Sequence, residues 1–329
     1  MNAKKQPWQD RVVSFAELQK EKFPPMTYVV PDIVPEGVTI LAGRPKIGKS
    51  WLALELCLGV ASGTPVLGNI EPATGDVLYL ALEDNPRRIQ RRINRIMPSS
   101  GRWPERCQFA TNWSRLEDGG ADEIAEWIDS VPEPRLVALD TLAAVRSPRQ
   151  PQGNMYQADY GAIEKLQKLA GEKHLAILVL AHERKMEAVV DPIDAVSGTL
   201  GLTGSADGVA IIQRSAQGTT LYLRGRDIEE KELALVFDKA RCRWSILGDA
   251  AEVQRSKTRK HVLEILLAAT EPMSPKQVAE STEMRASAVK KQLERMANAG
   301  EVCKSSRSRY VHPERLDLLQ AGTELKAAA

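Results

Sequence analysis

Gly43-Arg44-Pro45-Lys46-Ile47-Gly48-Lys49-Ser50 is the stretch on which the reading of this chain turns. Two glycines with four residues between them, followed by Lys and Ser, form a phosphate-binding loop. Glycine lets the backbone wrap closely around phosphate oxygens with its N–H groups turned inward. Lys49 is placed to meet the β- and γ-phosphates and Ser50 to hold Mg²⁺. The helix that opens at this point directs its positive end at the same anion. A random chain of this length would match the pattern about one time in a hundred. Here the loop also sits between an apolar strand, Val38–Ala42, and an apolar helical run, WLALELCLGVAS, as the motif requires. The run Gly43 through Trp51 is therefore the expected nucleotide-binding segment, with ATP and Mg²⁺ as ligands.

Working outward, three more apolar runs read as strands: Asp76–Leu82 (DVLYLAL), Arg135–Leu139 and Ala176–Ala181 (AILVLA). Helical stretches separate them at Pro86–Met97, Asp122–Ser130 and Tyr160–Glu172. Strands that are apolar on both faces and alternate with helices are those of a parallel sheet covered on both sides. The expected fold is an α/β, RecA-like doubly wound core. Four later strands, at Gly208–Gln213, Thr219–Arg224, Leu233–Asp238 and near Arg243–Leu247, leave no room for helices. They read as an antiparallel extension of the same sheet.

The chain has 329 residues, 43% hydrophobic and 27% charged, which suits a soluble globular protein of two or three domains. No run of 18 apolar residues is present, so no membrane span is expected. The start, MNAKKQPWQD, lacks the apolar stretch of a secretory signal. Four scattered cysteines, Cys57, Cys107, Cys242 and Cys303, form no CxxC pair. This usage fits a reducing cytoplasm and argues against a Cys-built metal site.

Charge is uneven along the chain. Thirteen basic and seven acidic residues lie between Gln254 and Arg315, which leaves the rest slightly acidic. A basic terminal module points to a polyanion partner. The boundaries expected are an arm at 1–36, the ATPase domain at 37–248, a polar linker at 249–258, a winged helix-turn-helix at 259–315 and a tail at 316–329. Within the module, Arg259–Ala269 is amphipathic, Ser274-Pro275 starts a second helix, and Ala286–Ala299 forms a third that stops at Gly300. Val302–Lys304 and Arg309–Val311 alternate as a basic hairpin. In the third helix Val289, Leu293 and Met296 make the buried stripe. Lys290, Lys291 and Arg295 lie off it, and the wing carries Lys304, Arg307 and Arg309. These six are the expected DNA contacts. Winged helices also dock on proteins, and that reading stays open at this point.

Chemistry is expected at the strand ends. Asp140 closes LVALD beside the loop and suits water-mediated Mg²⁺ ligation. Glu83 ends LYLALED and can take a proton from the attacking water, with Asp84 as its rival. His182 ends the fourth strand, where a polar side chain can sense the γ-phosphate. Two long loops follow, Val145–Asp159 with Arg146 and Arg149, and Met186–Gly204 with its small-residue stretch SGTLGLTGS. Arg224 and Arg226, in RGR after a strand, can stabilise phosphoryl-transfer charge, and a solvated basic turn would look the same in sequence.

Together these segments resemble the RecA-type P-loop ATPases, most closely the small plasmid and phage replicative helicases of the RepA-like group. The resemblance runs from about Pro31 to Leu247. GRPKIGKSWLALEL is similar to that group's phosphate loop, LYLALED to the strand with its catalytic Glu, LVALD to its Mg²⁺ strand, LVLAHERK to its third helicase motif and LRGRDIEE to its interface hairpin. The resemblance implies a hexameric ring, single-stranded DNA in the central channel and an ATP-driven helicase acting in replication of a plasmid, phage or mobile element. Two features depart from the group. Glu183 follows His182 where a second His or Gln is often found, and the winged helix is an addition. A DNA-binding regulator or loader in which ATP controls assembly without unwinding is the rival reading, and a metabolic P-loop kinase a distant third.

Overall fold

The computed structural model describes residues 12–23, 25–97, 101–146, 155–182, 193, 200–305 and 308–318. Its helices are α1 (Phe15–Leu18), α2 (Lys49–Ser62), α3 (Pro86–Ile96), α4 (Ala121–Ser130), α5 (Leu142–Val145), α6 (Met155–Lys173), α7 (Leu200–Ser205), α8 (Ala250–Ala268), α9 (Pro275–Thr282) and α10 (Ala286–Asn298). Its strands are β1 (Tyr28–Val30), β2 (Val34–Pro35), β3 (Gly37–Gly43), β4 (Asp76–Ala81), β5 (Cys107–Ala110), β6 (Pro134–Asp140), β7 (Ala176–Leu180), β8 (Gly208–Ser215), β9 (Gly218–Gly225), β10 (Lys231–Asp238), β11 (Arg243–Asp249), β12 (Cys303–Lys304) and β13 (Tyr310–Val311).

Nine strands form the central sheet, in the order β11-β10-β9-β8-β3-β7-β6-β4-β5. The six from β8 to β5 in this order pair in parallel. This mixed, mainly parallel α/β sheet is consistent with a RecA-like core. Strand β3 is buried along its length and flanked by β7 and β8, so the loop that leaves Gly43 starts from the middle of the sheet. Helix α2 follows at once. It is buried on nearly all sides, as a helix with so few polar positions must be. Gly63, at φ +67°, ends it by donating its N–H to the Gly59 carbonyl. Helix α3 begins with Asn85 accepting from the Arg88 N–H at 2.9 Å and Pro86 in the first turn, and it buries Ile89, Ile93 and Ile96.

The chain divides into two compact units. One comprises Met1–Ile212, Leu223–Glu230 and Asp238–Trp244; the other comprises Gln213–Tyr222, Lys231–Phe237 and Ser245–Ala329. The second unit contains the C-terminal helices. Helices α8, α9 and α10 enclose Val262, Leu266, Val278, Val289, Leu293 and Met296, with Val302 and Tyr310 of the hairpin region. Ser274 caps α9 in a reciprocal box with Gln277, and Pro275 opens the helix. Strands β12 and β13 pair antiparallel, Cys303 opposite Val311 and Lys304 opposite Tyr310.

Several expectations change. The segment expected as a linker is helical from Ala250, because Asp249 accepts from the Glu252 N–H at 3.0 Å and nothing in AAEVQRSKT breaks a helix. Strand β5 lies at the sheet edge beside β4, where no strand pattern shows in the sequence. Helix α6 begins at Met155, inside the stretch expected as a long loop, and α7 occupies part of the small-residue stretch. Residues 147–154, 183–192 and 194–199, which include Arg149 and Glu183, lie outside the described residues, as does Arg307 of the wing. Among the described residues no helix is long and apolar enough to cross a membrane.

Candidate active site

The carboxyl ends of β3, β4, β6 and β7 bring Lys49, Glu83, Asp140 and His182 to one edge of the sheet. Parallel strands whose residues pair in register end at the same level. Leu41 pairs with Leu180, Ala81 with Asp140, and Leu139 with Val179. This is where ligands bind in open α/β sheets.

The phosphate loop turns through positive φ at Gly43 (+154°), Lys46 (+64°) and Gly48 (+115°). A side chain at Gly43 would place its Cβ 2.8 Å from the Ile212 carbonyl oxygen, so only glycine fits there. Arg44, Pro45 and Lys46 are exposed at the tip, and Ile47 and Gly48 are half-buried. Lys49 is buried (6% exposed), and its ammonium donates to the carbonyl oxygens of Gly43 at 2.7 Å and Arg44 at 3.2 Å. A buried ammonium aimed into a loop of close-turned backbone, at the amino end of a long helix, is a donor set for phosphate.

Lys49 Nζ also lies 3.4 Å from His182 Nδ1. The other ring nitrogen, Nε2, faces Glu83 Oε1 at 3.9 Å. Glu83 Oε1 in turn accepts from the Thr141 hydroxyl at 2.9 Å. Lysine, histidine, glutamate and threonine thus lie in succession across the strand ends. The rival carboxylate is committed elsewhere: the Asp84 side chain is 6% exposed, accepts from Arg88 Nη1 at 2.8 Å and is paired with Arg92. The Arg92 guanidinium lies over the Trp51 ring, 5.4 Å from its centre, which ties the residue after Ser50 to α3.

Asp140 is buried and accepts from the Tyr79 hydroxyl at 2.9 Å. Burial raises its carboxyl above the ordinary value. Hydrogen bonds from Ser50 and Tyr79 oppose this, the Glu83 charge adds to it, and Arg92 opposes it. Ser50 and Asp140 therefore sit together as a hydroxyl and a carboxylate, the hard oxygen ligands and water-holders that Mg²⁺ takes. The residues present fit ATP with Mg²⁺: Lys49 and the loop amides for phosphate, Ser50 and Asp140 for the metal.

Tyr79, Thr141 and Trp244 belong to the site and gave no signal of their own in the sequence. Tyr79 could have been picked out by its place two residues before the end of β4, at a register position on the same face as Asp140 of β6. Thr141 follows the Mg²⁺ strand directly. Trp244 donates its indole N–H to the Gly48 carbonyl from 196 residues away, a contact that no local pattern announces.

Arg224 and Arg226 lie at the other end of the sheet. Strand β8 pairs with β3 from Gly208 opposite Thr39 to Ile212 opposite Gly43, and the Arg226 N–H donates to the Asp207 carbonyl. Four residue steps, about 13 Å along the strand, separate that level from the phosphate loop. Arg226 Nη1 donates to Asp207 Oδ1 at 3.2 Å, and Arg224 Nε is 3.9 Å from Glu230 Oε2. In the second unit Lys290, Lys291 and Arg295 are exposed on α10. Lys304 lies over the Tyr310 ring, and the Arg309 guanidinium donates to the Pro272 carbonyl at 2.8 Å, so Arg309 also braces the hairpin. Arg146, expected in a loop, donates to buried Asp159 at 2.5 Å.

Fold and site together define a P-loop nucleotide triphosphatase. Residues 4–188 match the profile of the AAA domain family AAA_25, and the chain belongs to this family. Two solved structures share the fold. One, described as an ATPase domain, is 13% identical with a TM-score of 0.53, over 64% of this chain and 85% of that one. The other, described as a DnaB-like replicative helicase and its interactions with primase, is 14% identical with a TM-score of 0.51, over 70% of this chain and 66% of that one.

Proposed function

We propose that this chain is the subunit of a ring-forming, ATP-driven DNA motor, helicase-like, acting in replication of a plasmid, phage or mobile element. Bound ATP with Mg²⁺ supplies the phosphoryl group that passes to water. Lys49 holds phosphate charge, Ser50 and Asp140 hold the metal, and Glu83 takes the proton of the attacking water. Thr141 keeps the Glu83 carboxylate turned toward the site. His182, between Lys49 and Glu83, is placed to feel the loss of phosphate charge and pass it to the segment that follows it.

The observation that carries the assembly reading is the position of Arg224 and Arg226. They stand at the end of the sheet away from their own phosphate loop, so they serve another subunit's nucleotide. Rings form when such a head-to-tail contact closes. The ring is a hexamer in this reading, with single-stranded DNA in its channel. The three C-terminal helices and their hairpin act as a winged helix on duplex DNA, with Lys290, Lys291 and Arg295 on the exposed side of α10. Lys304 reaches phosphates from the hairpin.

Mixing subunits tests this. Lys49→Ala and Arg226→Ala are each inactive alone. A mixture regains hydrolysis at interfaces that pair an intact loop with an intact arginine. Unchanged turnover by a monomer at high dilution would refute the shared site.

A further inference from the structure

We propose that Trp244 is a positioning residue for the phosphate loop, acting through the Gly48 carbonyl; the inference rests on the nucleotide site described above. Trp244 lies in β11 and is 1% exposed. Its indole N–H donates to the Gly48 oxygen at 3.2 Å, which also accepts from the Leu52 N–H at 3.0 Å. The ring rests on the Gly48 Cα: a Cβ there would lie 2.8 Å from Cζ2 and 3.2 Å from Nε1. The indole therefore touches the loop by a hydrogen bond and by packing, directly before Lys49.

The consequence follows from peptide geometry. The Gly48 carbonyl and the Lys49 N–H belong to one planar trans unit and point in opposite directions. A donor that fixes the oxygen thus fixes the aim of that N–H. The Lys49 amide is at the first turn of α2, where N–H groups have no intrahelical partner and are offered to the anion.

Trp244 is itself held in place. Glu55, buried in α2, accepts from the Trp244 N–H at 2.8 Å, the Leu67 N–H at 3.1 Å and Arg243 Nε at 3.1 Å. Arg243 Nη2 donates to the Pro65 carbonyl at 2.5 Å. Strand β11 is therefore fastened to α2 at two levels, at Glu55 and at Gly48. The first anchors the strand, and the second carries that anchor to the loop.

The test is Trp244→Phe in the full chain, which keeps an aromatic ring and removes the N–H. Losing one hydrogen bond on the loop should raise KM for ATP about 3- to 10-fold with kcat within about twofold, since the bond acts equally in ground and transition states. The melting temperature should move by only a few degrees. An unchanged KM in a variant that melts early would assign Trp244 to the core alone and overturn the proposal. Lys49→Ala, run alongside, abolishes hydrolysis if the nucleotide site is right, so failure of that reading shows separately. Should Trp244→Phe fail to fold, hydrogen exchange of the wild-type chain with Mg·ADP decides. Protection must rise in peptides covering 243–246 together with those covering 46–52. Protection of 46–52 alone would overturn the proposal.

Discussion

Replacing Glu83 by Gln separates catalysis from binding more cleanly than any other change in this site. Glutamine keeps an oxygen where Glu83 Oε1 accepts from the Thr141 hydroxyl at 2.9 Å, so the side chain stays in place. What goes is the basic carboxylate. General-base catalysis contributes about 10²- to 10⁴-fold, so kcat should fall by that factor, or about 3–5 kcal/mol in the barrier. Nucleotide affinity should stay within about threefold, because Lys49 and the loop are untouched. Asp84→Asn is the control. It removes the charge facing Arg88 and Arg92 and should cost about 1–2 kcal/mol of stability while leaving most of the turnover. A steady-state ATPase assay beside titration with a fluorescent nucleotide reads both quantities. Hydrolysis at the wild-type rate by Glu83→Gln would refute the assignment of the base.

The raised Asp140 carboxyl protonates as pH falls through a range above the ordinary carboxylate value of about 4, so the Mg²⁺ needed for half-maximal hydrolysis should climb toward acid pH, earlier in Tyr79→Phe, which loses an opposing hydrogen bond. Protonated Asp140 is the form that folding favours, so its own contribution to stability declines as pH rises through that range. At Asp76 burial would raise the carboxyl, but Arg106 and the Glu133 N–H outweigh it and hold the value below normal. Its stabilisation is present above about pH 4 and lost as pH falls through the depressed value, so Asp76→Asn should melt early at neutral pH and the gap to the wild type should narrow as pH falls below the ordinary carboxylate range, read by thermal denaturation. Lys290→Ala with Lys291→Ala in the full chain should weaken duplex binding, and unchanged affinity in a fluorescence-anisotropy titration would move α10 to the protein-docking reading.

The parts of this molecule that were legible in its sequence are those written locally. The phosphate loop is eight contiguous residues. Asp140, Glu83 and His182 were placed by apolar runs that end in a polar residue, and Val289, Leu293 and Met296 by helical spacing. Strand β5 escaped notice because CQFA sits at the sheet edge and is only partly buried, so it has no apolar run to show. The helical start at Ala250 inside the polar segment was not read, because its helix signal is a cap at Asp249 and the absence of proline rather than an apolar stripe. Tyr79, Thr141 and Trp244 act across 61, 58 and 196 residues. Sheet order decides which strands bring such residues together, and the sequence does not carry that order. The same holds for Arg224 and Arg226, whose distance from their own loop depends on β8 pairing with β3.

The measurement that tests the motor reading most directly is strand displacement from a forked DNA duplex with a labelled strand. The wild-type chain should release that strand with ATP and Mg²⁺, and Glu83→Gln, which binds nucleotide without turning it over, should release none. DNA-stimulated hydrolysis with no strand released under any nucleotide would contradict the account and leave an ATP-controlled DNA-binding regulator or loader in its place.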